Sequence, residues 1–230
     1  MKTITTGTEK RGKTCPPPYI PNSEKLTANQ LQNAYDDLAE GYEKKLWFDQ
    51  YILGVARHRK QLMSRARGGI LDVAGGTGLN FPFFPSTSEI IAVDLSQRML
   101  DVAHRKAADL NLNVRTQVMN AQNLDFADGS FDTVTSTLST CTFPDPIQAL
   151  REMQRVCRPD GLILLLEHGH STIPWLAKFQ DRHVLPHYQE NAGCRWNQDP
   201  LDLINAAGLR IVSGKRFGFG MFHAIMATPK

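Results

Sequence analysis

Two short apolar runs set what this chain can become. Ile70-Leu71-Asp72-Val73 leads straight into Ala74-Gly75-Gly76-Thr77-Gly78, and Ile90-Ile91-Ala92-Val93 ends in Asp94. Runs of this length, apolar on successive rather than alternate residues, suit strands buried on both faces of a sheet. A helical pattern follows the second run: Ser96 is placed to cap a helix reaching Leu110, with Met99, Leu100, Ala103 and Ala107 on one face. The strand, helix, strand, helix unit continues with strands over 114–119, 131–137 and 162–166 and a helix over 147–156. Asp128-Gly129 and Arg158-Pro159-Asp160-Gly161 supply turns. Such alternation predicts a doubly wound α/β domain with a mostly parallel sheet. Beyond it, 171–191 reads as an irregular or helical insert and 200–207 as a helix closed by Gly208. Segments 209–215 and 221–227 read as a terminal antiparallel pair across Gly218-Phe219-Gly220.

Upstream, 27–67 has helical spacing in Leu31, Tyr35, Leu38 and Tyr42, then in Leu46, Tyr51, Ile52 and Val55. Thr27 and Gln30 form a capping-box pattern, and a break near Gly41 divides two helices. The organisation expected is a flexible basic tail over 1–26, a helical cap over 27–67, and a core over 68–230 carrying the insert at 171–197. The net charge of +3 resides wholly in residues 1–30, where Lys2, Lys10, Arg11, Lys13 and Lys25 face Glu9 and Glu24. A neutral body argues against a nucleic-acid surface, which needs clustered cations. Cys15, Cys141, Cys157 and Cys194 form no C-x-x-C pair, so neither a disulfide framework nor a zinc-thiolate site is expected. Without a long apolar run, the expectation is a cytoplasmic protein with at most peripheral membrane contact. An organelle-targeting role for the tail stays open, as does the oligomeric state.

Glycines directly after a buried strand let backbone approach a ligand in the crevice beyond the strand ends. Asp94, about twenty residues on, can accept both hydroxyls of a ribose. Together they suggest an adenosine-type ligand. Charge narrows the choice, because a dinucleotide brings a pyrophosphate that Asp72, at the mouth of the glycine turn, would repel. A sulfonium nucleoside carries no phosphate, and its ammonium group suits an acid there.

In order and spacing, Ile70 to Gly78, Asp94-Leu95-Ser96, Asp128-Gly129-Ser130-Phe131-Asp132 and Arg158-Pro159-Asp160-Gly161 resemble the successive motifs of class I S-adenosylmethionine-dependent methyltransferases. The likeness runs from about Tyr35 to the C-terminus. It is greatest to the branch of quinone-biosynthesis C-methyltransferases, bacterial phosphatidylethanolamine N-methyltransferases and methyltransferase-like thiol methyltransferases. The resemblance implies a Rossmann-like, seven-stranded sheet of order 3-2-1-4-5-7-6 with an antiparallel last strand. It also implies S-adenosyl-L-methionine as cofactor, with S-adenosyl-L-homocysteine as product. Asp72, Gly75, Gly76 and Gly78 would then surround the methionine part, Asp94 the ribose and Leu95 the adenine, with Ala74 and Met99 also among the cofactor-binding residues. Asn120-Ala121 falls where the family usually has an acid followed by Ala; an amide oxygen can still accept a hydrogen bond there. Thr137, Leu138 and Ser139 would line the floor, and Tyr42, ahead of Tyr35, would belong to the cap.

Methyl transfer from a sulfonium needs no enzyme nucleophile, so Cys141 and Cys157 read as small buried groups. His168, after the fifth strand, is the candidate base for the acceptor's proton, with a loop-fixing histidine as the ordinary alternative. His183 and His187 share a helix face but have no third ligand beside them, so no metal is expected. Arg195 and Trp196 either meet an acceptor or tie the insert down. Phe81, Phe83, Phe84, Trp175, Phe179, Trp196, Phe217 and Phe219 suggest a small lipophilic or amphipathic acceptor. A non-catalytic assembly factor that binds the cofactor, and a nicotinamide-dependent oxidoreductase, stay open beside the methyltransferase.

Overall fold

The computed structural model describes residues 20–230, so the tail cations up to Lys13, Glu9, Cys15 and the three prolines lie outside the described residues. Seven strands form one sheet: β1 (Gly69–Val73), β2 (Glu89–Asp94), β3 (Val114–Val118), β4 (Phe131–Thr137), β5 (Cys157–His168), β6 (Arg210–Phe217) and β7 (Phe222–Thr228). Their order is β3-β2-β1-β4-β5-β7-β6, parallel from β3 to β5 and antiparallel where β7 meets β5 and β6. The expected order and terminal hairpin are both present.

Helices cover both faces because the inner strands are apolar on both. In β5, Ile163 and Leu165 pack with α6 (Pro146–Val156) and α9 (Pro200–Ala207), while Leu164 and Leu166 face α4 (Val55–Met63). On that second face α5 (Gln97–Asp109) adds Ala103 and Ala107, and Ser96 caps it by accepting the Met99 N–H at 3.1 Å. No α-helix joins β1 to β2. Pro82 and Pro85 withhold two backbone donors there, and the segment holds only a 3-10 turn at Phe81–Phe83.

The N-terminal segment is more broken than the predicted two helices. It comprises α1 (Ala28–Leu38), a 3-10 turn, α2 (Tyr42–Lys45), α3 (Trp47–Tyr51) and α4. Thr27 and Gln30 close the expected capping box. Acids spaced along the cap dock it on α5: Asp36 accepts from Ser96 Oγ at 2.5 Å, and Glu40 and Glu43 pair with Arg105 and Lys106. The insert is helical, with α7 (Pro174–Arg182) and α8 (Val184–Glu190). No helix among the described residues is long and apolar enough to cross a membrane.

The Arg158–Gly161 turn is absorbed into β5 as a bulge, since Phe131 pairs with Cys157 but Thr133 pairs with Leu162. Asp132, opposite it, accepts the Gly69 N–H at 2.8 Å and pairs with Arg158, joining the starts of β1 and β4 to the bulge. A Cβ on Gly161 would stand 2.6 Å from Cys157 Sγ and 2.9 Å from the Asp132 carbonyl, which explains the glycine. The Gly69 N–H, then Arg158, hold the Asp132 carboxyl below its ordinary pKa. A carboxyl that titrates lower when folded stabilises fully above its unfolded pKa of about 4, and the effect fades as pH falls through the folded value. Asp132→Ala is therefore expected to cost about 1–2 kcal/mol at neutral pH in urea unfolding, with wild type and variant converging well below pH 4.

Candidate active site

Where β1 and β4 end, the chain turns under strain. Ala74 (φ 53°) and Leu138 (φ 54°) both occupy the left-handed region without being glycine, a conformation that persists only when the surroundings fix it. Leu138 is fixed by its N–H on the Leu166 carbonyl at 2.7 Å, and Gly75, next to Ala74, by its N–H on Val93 at 3.0 Å. Between these turns and α1 lies a cavity. Tyr42, Ala74, Gly76, Asp94, Leu95, Met99, Asn120, Ala121, Thr137, Leu138 and Ser139 reach its wall, with Leu31, Tyr35 and Met119 beside them.

Asp94 ends β2 with Oδ2 accepting the Gly76 N–H at 3.0 Å and Oδ1 the Ser96 N–H at 2.9 Å. Each oxygen keeps a lone pair for a ligand. Burial raises its pKa, against the pull of the Ser96, Gly76 and Leu95 N–H groups. Gly76, at φ 55°, has nothing within 4 Å of where a Cβ would stand, so its backbone is open to a bound group. Asn120 Oδ1 takes the Gln122 N–H at 2.9 Å, fixing the amide at the rim. Paired acceptors beside a slot walled by Leu95, Met99 and Ala121 fit the ribose and base of S-adenosylmethionine.

Three expected cofactor residues do not reach this wall. The pleat of β1 turns Asp72 toward α4, where Oδ1 accepts from Asn80 Nδ2 at 2.8 Å and Thr135 Oγ1 at 2.6 Å, and Oδ2 has no hydrogen-bond partner. Burial pushes its pKa up to about 6 although Thr135, Asn80 and Arg59 pull it down. Gly75 and Gly78 serve packing. A Cβ on Gly75 would stand 3.3 Å from Ala92 Cβ, and one on Gly78 2.5 Å from the Phe81 ring.

Arg59 escaped the sequence reading. It is 2% exposed, and its Nη1 donates to Asn80 Oδ1 at 2.6 Å and Thr137 Oγ1 at 2.7 Å. Burial lowers its pKa, while Tyr42, Asp72 and Glu167 raise it. The signal was present, since Arg59 falls on the same helical stripe as buried Val55, Leu62 and Met63.

A second cavity of about 440 Å³ adjoins the first, and Tyr35, Tyr42, Leu138 and Thr142 line both. The two tyrosines meet edge to face at 6.2 Å. Leu46, Phe48, Leu176, Trp196, Met221 and Phe222 give this cavity a largely apolar wall, and His168 opens on it. His168 Nε2 lies 3.2 Å from Cys194 Sγ, and Cys141, His168 and Cys194 bring their ligand atoms within 4.8 Å of one another. Burial opposes charge on His168, but Cys141, Glu167 and Asp49 outweigh it, so its pKa stands above the ordinary imidazole value.

Other expectations separate here. His183 lies tilted against Phe179 and His187 stacks on Trp196, so each imidazole faces an aromatic ring. Arg195 ties the insert to the β4 loop through the Cys141 and Phe143 carbonyls. Of the eight aromatics expected near the acceptor, Trp196 reaches the wall. Phe81 and Phe84 are core because they pack beneath α4, while Trp175, Phe179 and Phe219 are exposed.

Known proteins match both sequence and fold. The methyltransferase domain family matches residues 71–165. Methyltransferase OMS1, mitochondrial, of Saccharomyces cerevisiae is 28% identical over 228 residues; these cover 91% of this chain but only 48% of the yeast protein. The ubiquinone/menaquinone biosynthesis C-methyltransferase UbiE of Bdellovibrio bacteriovorus is 31% identical over 169 residues, covering 68% of this chain and 70% of that protein. In structure, geranyl diphosphate C-methyltransferase of Streptomyces coelicolor, solved with Mg2+, geranyl diphosphate and S-adenosyl-L-homocysteine, shares the fold. Its TM-score is 0.69 at 15% identity, over 90% of this chain and 100% of that one. With the motifs, the strand order and these matches in agreement, the chain belongs to the class I S-adenosylmethionine-dependent methyltransferases.

Proposed function

We propose that this protein moves the methyl group of S-adenosylmethionine onto a small lipophilic or amphipathic acceptor held in the second cavity. The observation that carries the reading is the shared wall: the cavity that holds Asp94, Leu95 and Asn120 and the apolar one meet at Tyr35, Tyr42, Leu138 and Thr142. The cofactor, when bound, supplies a methyl group activated on a sulfonium. Asp94 accepts its ribose hydroxyls, Leu95, Met99 and Ala121 pack the base, and Asn120 meets the base edge. Ala74 and Gly76 give the methionine part room, and Thr137 and Ser139 form the floor. Asp72, Gly75 and Gly78 act one layer back by setting the shape of the glycine turn.

Transfer requires the acceptor atom close to the methyl and in line with it, in a site without water. Tyr35 and Tyr42 exclude water at the partition and offer ring faces to a positive centre. A cavity of about 440 Å³ lies in the small-molecule range, and the quinone-pathway name of the bacterial relative supports a lipophilic acceptor. The yeast relative's mitochondrial location supports the organelle-targeting reading of the basic tail over the cytoplasmic one.

Asp94→Ala is expected to weaken S-adenosylmethionine binding by roughly 10- to 100-fold in calorimetry, since it removes charge-assisted hydrogen bonds worth about 1.5–3 kcal/mol. Leu176→Trp, which narrows the second cavity alone, should lower acceptor kcat/KM by about 10-fold or more while cofactor Kd stays put. With labelled cofactor and a fractionated cell extract, label should move into a lipophilic product. Cofactor binding without transfer to any fraction would instead indicate a non-catalytic binder, and NAD binding in place of S-adenosylmethionine would overturn the assignment. Unchanged turnover in His168→Ala would remove that residue from the chemistry.

A further inference from the structure

We propose that Cys141, His168 and Cys194 form a Cys2His site for zinc whose fourth coordination position opens on the second cavity. The three residues come from separate elements: Cys141 from the loop after β4, His168 from the end of β5, Cys194 from the segment after α8. Their donor atoms nevertheless lie within 4.8 Å of one another, and one pair stands at 3.2 Å.

Two polar clamps hold the cluster together. Glu167 Oε2 accepts the Ser139 and Thr140 N–H groups at 3.1 and 3.2 Å, which ties the strand end bearing His168 to the loop bearing Cys141. The backbone N–H and Nε of Arg195 both donate to the Cys141 carbonyl, at 3.1 and 3.0 Å, which seats Cys194 against the same loop. Supports of this kind around ligating side chains hold a metal site in its working geometry.

The donor set selects the ion. Two thiolates and an imidazole suit zinc, whereas magnesium and calcium take oxygen ligands. Zn–S bonds of about 2.3 Å and Zn–N bonds of about 2.0–2.1 Å put neighbouring donors of a tetrahedron about 3.5–3.8 Å apart. Reaching that spacing takes a small adjustment, in which the His168–Cys194 pair at 3.2 Å opens slightly and the wider pairs, all within 4.8 Å, close. Structural zinc sites are closed by four protein ligands, while three with an open position is the pattern of sites that bind a further molecule. All three residues border the second cavity, so that position faces it. On the transferase reading, a donor atom of the acceptor fills it.

The test uses the full chain, reduced and stripped with a chelator, then titrated with Co2+ and back-titrated with Zn2+. The expected result is one Co2+ per chain with tetrahedral visible bands and a thiolate charge-transfer band, all displaced by one Zn2+. Cys194→Ser should lower the charge-transfer intensity by about half, one thiolate of two being lost. Arg195→Gln, which loosens a clamp and keeps every ligand, should weaken zinc binding by about 10- to 100-fold. Cys157→Ala, in the core, should change neither. Should the fully buried Cys141→Ser fail to fold, the Cys194 and Arg195 variants still decide. A cobalt spectrum without thiolate charge transfer, or equal zinc affinity in wild type and Cys194→Ser, overturns the site. So does a Cys141–Cys194 disulfide that persists in the reduced, zinc-supplemented protein. Calorimetry with S-adenosylmethionine on the same samples keeps the two readings apart: cofactor binding without zinc sinks only the metal site, and zinc without cofactor binding sinks only the transferase.

Discussion

A guanidinium withdrawn almost wholly from water must be matched by polar partners, and the placement of Arg59 makes that demand at the junction of cap, sheet and site. Its Nη1 reaches Asn80, which in turn donates to Asp72, and reaches Thr137 at the end of β4. One side chain from α4 therefore fixes the loop after the glycine turn, the carboxylate within β1 and the floor of the cofactor cavity. Breaking a buried ionic network by removing one partner is costly because the remaining charges stay buried. The same economy explains why Asp72 can lie at the sheet interior: Thr135, Asn80 and the nearby cation stand in for water.

The cavities inherit their shape from that rigid base. Ala74 and Leu138 hold strained conformations on either side of the groove, and Leu138 also borders the second cavity. Strain at these positions is maintained by sheet-end hydrogen bonds and by packing above and below. The cap adds the opposite wall through the exposed Arg105–Glu40 pair, the half-exposed Lys106–Glu43 pair and the part-buried Asp36–Ser96 hydrogen bond. Exposed pairs contribute little each, which leaves the Asp36–Ser96 bond and the buried Leu31 and Ala39 as the firmer anchors of the cap.

What could be read from residues alone follows from the range of the interactions involved. β4 and α9 were legible to their end residues, because β-branched residues after the Asp128-Gly129 turn and a terminal glycine are local signals. Asp94 was legible because it follows its strand directly. The role of Asp72 was not, since a motif gives its position but not which way the pleat turns its side chain. A Cβ on Gly75 or Gly78 would crowd Ala92 or Phe81, a packing demand that the motif alone does not display. The short helices from 42 to 51 carry too few turns for periodicity to resolve. Cys141, His168 and Cys194 stand far apart along the chain with no spacing signature, and only tertiary structure brings them together.

The position of β7 has a consequence for biosynthesis. It is the last of the seven strands to be made, yet it lies between β5 and β6 and sends Ile225 and Ala227 into the core. Until the ribosome has passed residue 228, β5 presents an unpaired and highly apolar edge, and such edges recruit other chains. The cofactor half of the sheet can assemble early from nearby segments, while the other half waits on a long-range pairing, a slow kind of contact to form. Nascent molecules would thus pass through a half-zipped stage, with one side of the sheet complete and the other still open.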